Sequence, residues 1–528
     1  MIRRCIRLLS EKGQVVKSLE ELFYSTFKSE AFITNSAVRD WLKNSNAKNL
    51  SDTVFQLRLG QRFGSDVKAV EKIASACIQN NFIDNVSPLG LSVLASSLAA
   101  APKGKKMKQL IEQIFQRLEA NTVILDSRVL GRFCHLASVH QVSSDTRNFL
   151  INAIKDTCNY IPPEEIRWVA SFLRTASIDD FILPKICANA SLMSPNDLAE
   201  VLLILASWGK IHSALPPAFE AVKLAVLRQL PHLNENGLSD VAFALGKVGG
   251  WNVDCGQILE RKIIAKNMKI DQIAKVLVGT VGSLNGPDSK QWFLNGGVVR
   301  KMINRFRKAR GISLLTNVRV LWAISAGDLQ NFPPQQFCDK SWTEASAKCA
   351  QQVNVVLRRQ LIQNIPQSLK GRQSLEMWAM LDELHTTEPF QLNQSVQRIF
   401  NKGIESARDQ LRSIRDSHPI TLALAQRGEL KDGVLWSGDI GVTADYGPVP
   451  PKLRIAGKKL NVIDALSWID RDEVARNALI DDLLTRNEPG VVCDAKAINA
   501  KPFEWIADEI KVPPQAFKFS LRRANSQA

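Results

Sequence analysis

Leu198-Ala-Glu-Val-Leu-Leu-Ile-Leu-Ala-Ser-Trp-Gly209 and Leu238-Ser-Asp-Val-Ala-Phe-Ala-Leu-Gly-Lys-Val-Gly249 are two copies of one pattern, forty residues apart. Each is preceded by residues whose side chains accept hydrogen bonds from a helix's free N–H groups: Ser194-Pro195-Asn196-Asp197 before the first, Asn234-Glu235-Asn236 before the second. Each then runs apolar at the three-to-four spacing of a helix face. Each reaches a glycine, which can end a helix at positive φ without a Cβ clash. A repeat of this period predicts an all-α solenoid of helical hairpins.

Working outward, the same pattern starts at Leu50, Ser87, Asp126 and Pro162 on one side and at Ile273, Leu315 and Ser374 on the other. Glycine stops are expected at Gly60, Gly282 and Gly327 as well. Between the copies lie second helices, expected at Met107–Leu118, Thr146–Cys158, Ala218–Gln229 and Val298–Arg310. Each hairpin has one apolar face that it buries only against its neighbours. Two further helices are expected at Ser18–Phe27 and Ser36–Lys43.

The texture changes near Gly433. Trp436–Thr443 and Lys452–Lys459 read as strands around the turn-rich Tyr446–Pro451, followed by a helix over Val462–Arg486. A short run at Gly490–Cys493, a helix at Phe503–Ile510 and a basic tail from Lys511 to Arg523 close the chain. The expected organisation is a leader over 1–17, a solenoid over 18–432 and a small mixed α/β or capping module over 433–528.

The 528 residues are 45% hydrophobic and 23% charged, an ordinary balance for a folded protein, and no run is long and apolar enough for a membrane span. Nine cysteines without a CxxC pair argue against a disulfide framework or zinc module and favour a reducing compartment. The first ten residues carry Arg3, Arg4 and Arg7 on one helical side, Ile2, Ile6 and Leu9 on another, and no acid. That is the pattern of a mitochondrial presequence, and it predicts the mitochondrial matrix.

Catalytic constellations are missing from the reading. There is no GxxxxGK[ST] loop, GxGxxG after a strand, HExxH or GxSxG. His135 and His140 lie five apart with no acid between them, and Glu164-Glu165 and Asp481-Asp482 sit where caps or solvated faces are expected. No catalytic residue, cofactor or metal ligand is assigned, and the expectation is a protein that is not an enzyme.

What remains is charge. The net charge is +16, and between Arg300 and Arg372 thirteen Lys/Arg stand against three Asp/Glu. Such an excess favours a polyanion, RNA above all, because contact with phosphates releases condensed counterions. The expected RNA-binding residues are Arg300, Lys301, Arg305, Arg307, Lys308 and Arg310 on one helix, with Met302, Ile303 and Phe306 as its buried stripe. Arg358, Arg359, Lys370 and Arg372 extend the set. Arginine suits the task, holding phosphate bidentately and stacking on bases. The lysine-only cluster Lys103, Lys105, Lys106 and Lys108 reads as a solvated turn, and Trp168, Trp208, Trp322 and Trp378 as core.

Met193-Ser-Pro-Asn-Asp-Leu-Ala199 with Leu205-Ala-Ser-Trp-Gly209, and Leu321-Trp-Ala-Ile-Ser-Ala-Gly327, resemble the "S-P-x-D-L-A…L-W-A-L-A-x-x-G" first helix of octotricopeptide, heptatricopeptide and FAST-kinase-type repeats. The resemblance spans Asn49 to Leu384, clear in three copies and looser in the others, with armadillo/HEAT repeats as the neighbouring alternative. It implies an organellar α-solenoid acting on RNA in processing, stability, translation or ribosome assembly. Many such proteins end in a RAP domain, which the residues after Gly433 do not visibly match, so no nuclease-like role is carried over. Leader, solenoid and basic surface together also resemble repeat proteins of protist mitochondrial RNA-editing and ribosome assemblies. The expected partners are therefore RNA (a mitochondrial transcript, a guide-type RNA or rRNA) and other proteins of a multi-subunit ribonucleoprotein complex. The alternatives are a structural or assembly component of the mitochondrial ribosome and a pure protein scaffold.

Overall fold

The computed structural model describes residues 42–492 except 44–45, 64–66, 85, 121–124, 141, 177–181, 208–214, 249–259, 262–267, 284–293, 310, 333–340, 369–373, 448, 450–453, 456, 470 and 487–490. The expected leader, the helix at 18–27, most of that at 36–43, the helix at 503–510 and the basic tail lie outside the described residues. Contacts divide the chain after Asn189 into two compact units. The division falls within the repeat array, and the mixed module shares a unit with the array's second half.

Among its described residues the first unit has only helical elements: α1 (Leu50–Phe63), α2 (Val67–Gln79), α3 (Pro88–Ala99), α4 (Lys105–Ala120), α5 (Ser127–Val139), α6 (Ser144–Thr157), α7 (Pro163–Ala176) and α8 (Ile182–Asn189). The helices predicted as repeat copies, α1, α3, α5 and α7, stack in that order, while α2, α4 and α6 stack beside them as a second layer. The second unit continues with α9 (Pro195–Ala206), α10 (Leu215–Gln229), α11 (Glu235–Lys247), α12 (Ile270–Ser283), α13 (Gly296–Phe306), α14 (Leu314–Ala326), α15 (Glu344–Ser368), α16 (Leu375–Thr387), α17 (Gln394–Asp416) and α18 (Pro419–Arg427). Here α9, α11, α12, α14 and α16 form the row of first helices, and α13 packs on α15 in the other layer. This is the helical-hairpin solenoid that the period predicts.

The helix starts are where the sequence places them. Ser194 Oγ accepts the Asp197 N–H in α9, and Asn234 Oδ1 accepts the Gly237 N–H in α11. Ser87, Asp126, Ser313 and Ser374 cap α3, α5, α14 and α16 in the same way. Each satisfies a donor that the helix cannot, worth about 1 kcal/mol apiece. Leu198, Val201, Leu202 and Leu205 of α9 are buried, as are Leu238, Val241, Ala242 and Leu245 of α11.

The glycines act otherwise than expected. Gly60 and Gly282 lie inside α1 and α12, and Gly327 caps α14 at φ −83°, not in the left-handed region. Gly209 and Gly249 lie outside the described residues, after α9 and α11 have ended at Ser207 and Val248. The glycines that matter are Gly246 and Gly279, where α11 and α12 touch backbone to backbone. A Cβ on Gly246 would fall on the Gly279 peptide, and one on Gly279 on the Ala242 carbonyl.

Polar contacts stitch successive first helices together and tie α14 to α15 of the other layer. Lys275 Nζ reaches Asp240 at 2.5 Å, Arg319 holds Glu376 through two hydrogen bonds of 2.7 and 2.9 Å, and Asn317 donates to the Leu357 carbonyl at 3.2 Å. Trp322 is 2% exposed and donates its Nε1–H to Glu383 at 2.6 Å, while Trp378 packs on Phe400 and Gly403. Both fit the core role expected of them; Trp208 lies outside the described residues.

The C-terminal module is a small mixed sheet. Its strands are β1 (Leu430–Lys431), β2 (Val434–Ser437), β3 (Ile440–Ala444), β4 (Arg454–Ile455), β5 (Lys458–Ile463) and β6 (Val491–Val492), with α19 (Ala465–Ile469) and α20 (Glu473–Thr485) after β5. The order is β1-β2-β3-β5, with β4 antiparallel along the start of β5 and β6 parallel along its end. The β2–β3 turn uses Gly438 at φ +59° and the β4–β5 turn Gly457 at φ +82°.

Two expectations need correction here. The helix drawn from Val462 starts too early, because Lys458–Ile463 is a β-rich strand and Asp464 then accepts the Ser467 N–H to open α19. The module also begins before Gly433: α18 contributes Ile420 and Leu424 to the core formed by Leu435, Val442, Ile463, Trp468, Ile480 and Leu483. The sheet's end returns to the array. Asp445, following β3, faces Lys247 at the end of α11, both side chains buried at 3.9 Å, and the Lys247 ammonium also donates to the Ala206 carbonyl at 3.0 Å.

Candidate nucleic-acid interface

The basic helix expected at Val298–Arg310 is α13, which ends at Phe306, with Arg307 and Lys308 in the turns that follow. Asn295 caps its start by accepting the Gly297 N–H at 2.8 Å. Val298, Val299, Met302, Ile303 and Phe306 are buried, matching the expected stripe. At about 100° per residue the opposite side carries Arg300, Asn304 and Arg307 in one line and Lys301, Arg305 and Lys308 in another, and all six are exposed.

No carboxylate side chain occurs between Asp288 and Asp328. Among the described residues, no acidic group comes within ion-pairing distance of Arg300, Lys301, Arg305, Arg307 or Lys308. The negative end of the helix dipole favours a cation or two at this terminus. Five on one face are more than that requires.

The neighbouring helix α15 packs along this face. Cys349 Sγ approaches Asn304 Oδ1 at 3.8 Å, and Gln360 donates to the Ala309 carbonyl at 3.4 Å. Burial pushes the Cys349 thiol up, against the opposite pull of Arg300 and Arg307 beside it. Arg359, next to Gln360, is exposed.

Arg358 does not join the basic face. Its guanidinium, 13% exposed, pairs with the Glu388 carboxylate at 3.1 Å, donates to the Glu388 carbonyl at 3.0 Å and lies over the Phe390 ring. The two arginines are consecutive on a helix and therefore point about 100° apart. Arg310, Lys370 and Arg372 lie outside the described residues.

The lysine cluster at 103–108 sits at the start of α4, where cations oppose the helix dipole. Glu71 of α2 compensates, accepting the N–H groups of Lys106 at 2.8 Å and Met107 at 3.1 Å. Lys108 also pairs with Glu112 at 3.7 Å. The lysines are exposed as expected, but Lys105, Lys106 and Lys108 belong to α4 itself and not to the turn before it.

Sequence reasoning missed a polar cluster between α5 and α7. Glu164 is exposed, but Glu165 is only 6% exposed and packs over Gly131, whose missing side chain makes the room. Burial raises the Glu165 carboxyl to about 7, although Arg132 lies 3.8 Å away. Beside it the His135 ring stacks on Trp168 with centroids 3.8 Å apart, and the Arg167 guanidinium lies 3.7 Å from the same ring. Burial, with Arg167 and His140, lowers His135 to about 4. Trp168 is thus in contact with its own neighbours. The signal was present as a glycine at a position where a helix packs tightly, but only with the partner helix known does it point to Glu165.

Among the described residues no cluster of histidine, cysteine and carboxylate has metal-binding geometry, and no helix is long and apolar enough to cross a membrane. Compared with known protein families and with curated proteins, the chain matches no family model and no curated sequence.

Proposed function

We propose that this chain is a non-catalytic RNA-binding and scaffolding protein of a mitochondrial RNA-processing complex, engaged in editing, maturation or stability of transcripts. One observation carries the reading: five exposed lysines and arginines on the α13 face with no acidic partner among the described residues. Like charges gathered without compensation disfavour the folded state, and a polyanion offsets that repulsion. Three cations elsewhere in the second unit give the contrast: Lys275, Arg319 and Arg408 are engaged by Asp240, Glu376 and Asp382. The arginine-rich, acid-free first ten residues support a mitochondrial address.

Filter binding with a single-stranded RNA at several salt concentrations tests the reading. Each phosphate contact contributes roughly −0.7 to the slope of log K against log salt, so five contacts give about −3.5. Reversing Arg305, Arg307, Lys308 and Arg310 to glutamate should abolish RNA retention and leave the helical circular dichroism unchanged. Unaltered RNA crosslinking in that variant sinks direct binding. Co-sedimentation with ribosomal particles, sensitive to nuclease, would move the protein to the mitochondrial ribosome instead.

A further inference from the structure

The basic face is not flat. At the C-terminal end of α13 it dips into an open cavity of about 490 Å³, lined by Ile270, Asn304, Arg305, Arg307, Lys308 and Ala309. Its volume falls in the range of roughly 300–1,000 Å³ typical of small-ligand sites. Among the described residues six line it, three of them cations and none a carboxylate, and Asp271, next along α12 from Ile270, contributes no lining atom. Two of the helix-end carbonyls are engaged locally, those of Asn304 and Phe306 accepting the N–H groups of Arg307 and Ala309. The polar lining is completed by one amide, Asn304, which both donates and accepts. Ile270 and Ala309 form an apolar wall.

A phosphodiester along a groove carries one charge and meets cations singly. A terminal phosphomonoester carries nearly two, with three equivalent oxygens, and it is the group that matches three convergent cations in a cavity instead of a channel. We propose that this cavity seats the phosphorylated end of an RNA strand, its phosphate on Arg305, Arg307 and Lys308 and its terminal nucleoside against Ile270 and Ala309 with Asn304 at a polar edge. The proposal rests on the RNA reading of the α13 face and adds end recognition to it.

The test uses the full chain and three oligoribonucleotides of one sequence, bearing a 5′-phosphate, a 3′-phosphate or neither, followed by fluorescence anisotropy. One phosphorylated form should bind roughly tenfold tighter than the unphosphorylated form, the scale of one set of charge-assisted hydrogen bonds, and which form it is identifies the end. Ala309→Trp, which fills the cavity without changing charge, should remove that preference. Lys308→Gln, an exposed change that does not perturb packing, should shrink the preference even where Ala309→Trp disturbs the fold, which circular dichroism reports. Equal binding of all three strands to the wild-type protein, or a preference that survives both variants, overturns the proposal. Arg300→Glu/Lys301→Glu, outside the cavity, separates the two claims: it should weaken all three strands alike. If it does not, the RNA reading of the face fails, whatever the cavity does.

Discussion

The polar cluster between α5 and α7 should make the stability of the first unit depend on pH less steeply than its histidines alone would. Glu165 has its carboxyl raised from 4.5 to about 7 by burial, so between these values the unfolded chain releases a proton that the folded one keeps. Stability contributed by this group therefore falls as pH rises, and above 7 the loss is complete. His135 has its imidazole lowered from 6.5 to about 4, first by burial and then by Arg167 and His140. As pH falls through 6.5 the unfolded chain gains a proton that the folded one refuses, so stability falls as pH falls. At about 1.4 kcal/mol per pKa unit, each separation is worth about 3 kcal/mol in full. Between 4.5 and 6.5 the two slopes oppose each other.

Glu165→Gln keeps the shape over Gly131 and removes one slope. Arg132 loses its partner but is about a third exposed, so water solvates it at small cost. Hydrogen exchange of amides in α5 and α7, measured in the full chain and corrected for intrinsic rate at each pH, reads the opening free energy locally. The wild type should vary less than Glu165→Gln from pH 4.5 to 6.5, the part left uncancelled coming from His140. Glu165→Gln should gain about 3 kcal/mol from pH 4 to 6.5, and His135→Asn should lose about as much from pH 4.5 to 7.5. His140, also lowered by burial, adds to the slope left in the first variant. A Glu165→Gln profile parallel to the wild type would refute the reasoning.

Three other perturbations test the packing. Gly279→Ala improves helix propensity by about 1 kcal/mol but drives a methyl into the α11 backbone; thermal unfolding should therefore shift down by several degrees, and an upward shift contradicts the close approach. Lys247→Met strands a buried carboxylate at Asp445 and should cost about 3–5 kcal/mol in denaturant unfolding, most of it recovered in Lys247→Met/Asp445→Leu. Additive single and double effects would show that the two do not interact. Ser194→Ala should cost about 1 kcal/mol and speed amide exchange in the first turn of α9; unchanged exchange there argues against the cap.

The helix starts were legible because capping is local: the oxygen of Ser194 or Asn234 bonds an amide three residues ahead. The α13 stripe was legible for a similar reason, since Met302, Ile303 and Phe306 share a face whatever lies beneath it. Glycine was misread because its meaning here is set by another helix. Gly279 serves Ala242, and Gly131 serves Glu165, over thirty residues away in each case. Arg358 and Arg359 look alike in a basic run, and only the position of Glu388 on the folded chain separates a structural arginine from an exposed one. In the module, helical spacing after Val462 competed with the β preference of Lys458–Ile463, and pairing with β3 decided between them. The cavity beside α13 is formed by α12 as well, so no single stretch of sequence announces it.

The contact between Lys247 and Asp445 has a consequence for how the chain is made. Successive hairpins satisfy one another as they leave the ribosome, so the first unit needs little that lies far ahead of it. Lys247 differs, because the carboxylate that answers its charge is synthesised almost two hundred residues later, after most of the array is complete. Until then the end of α11 holds a lysine that water must reach. A chain shortened before Asp445 should therefore keep its hairpins but open more readily at the end of α11 than the full chain does.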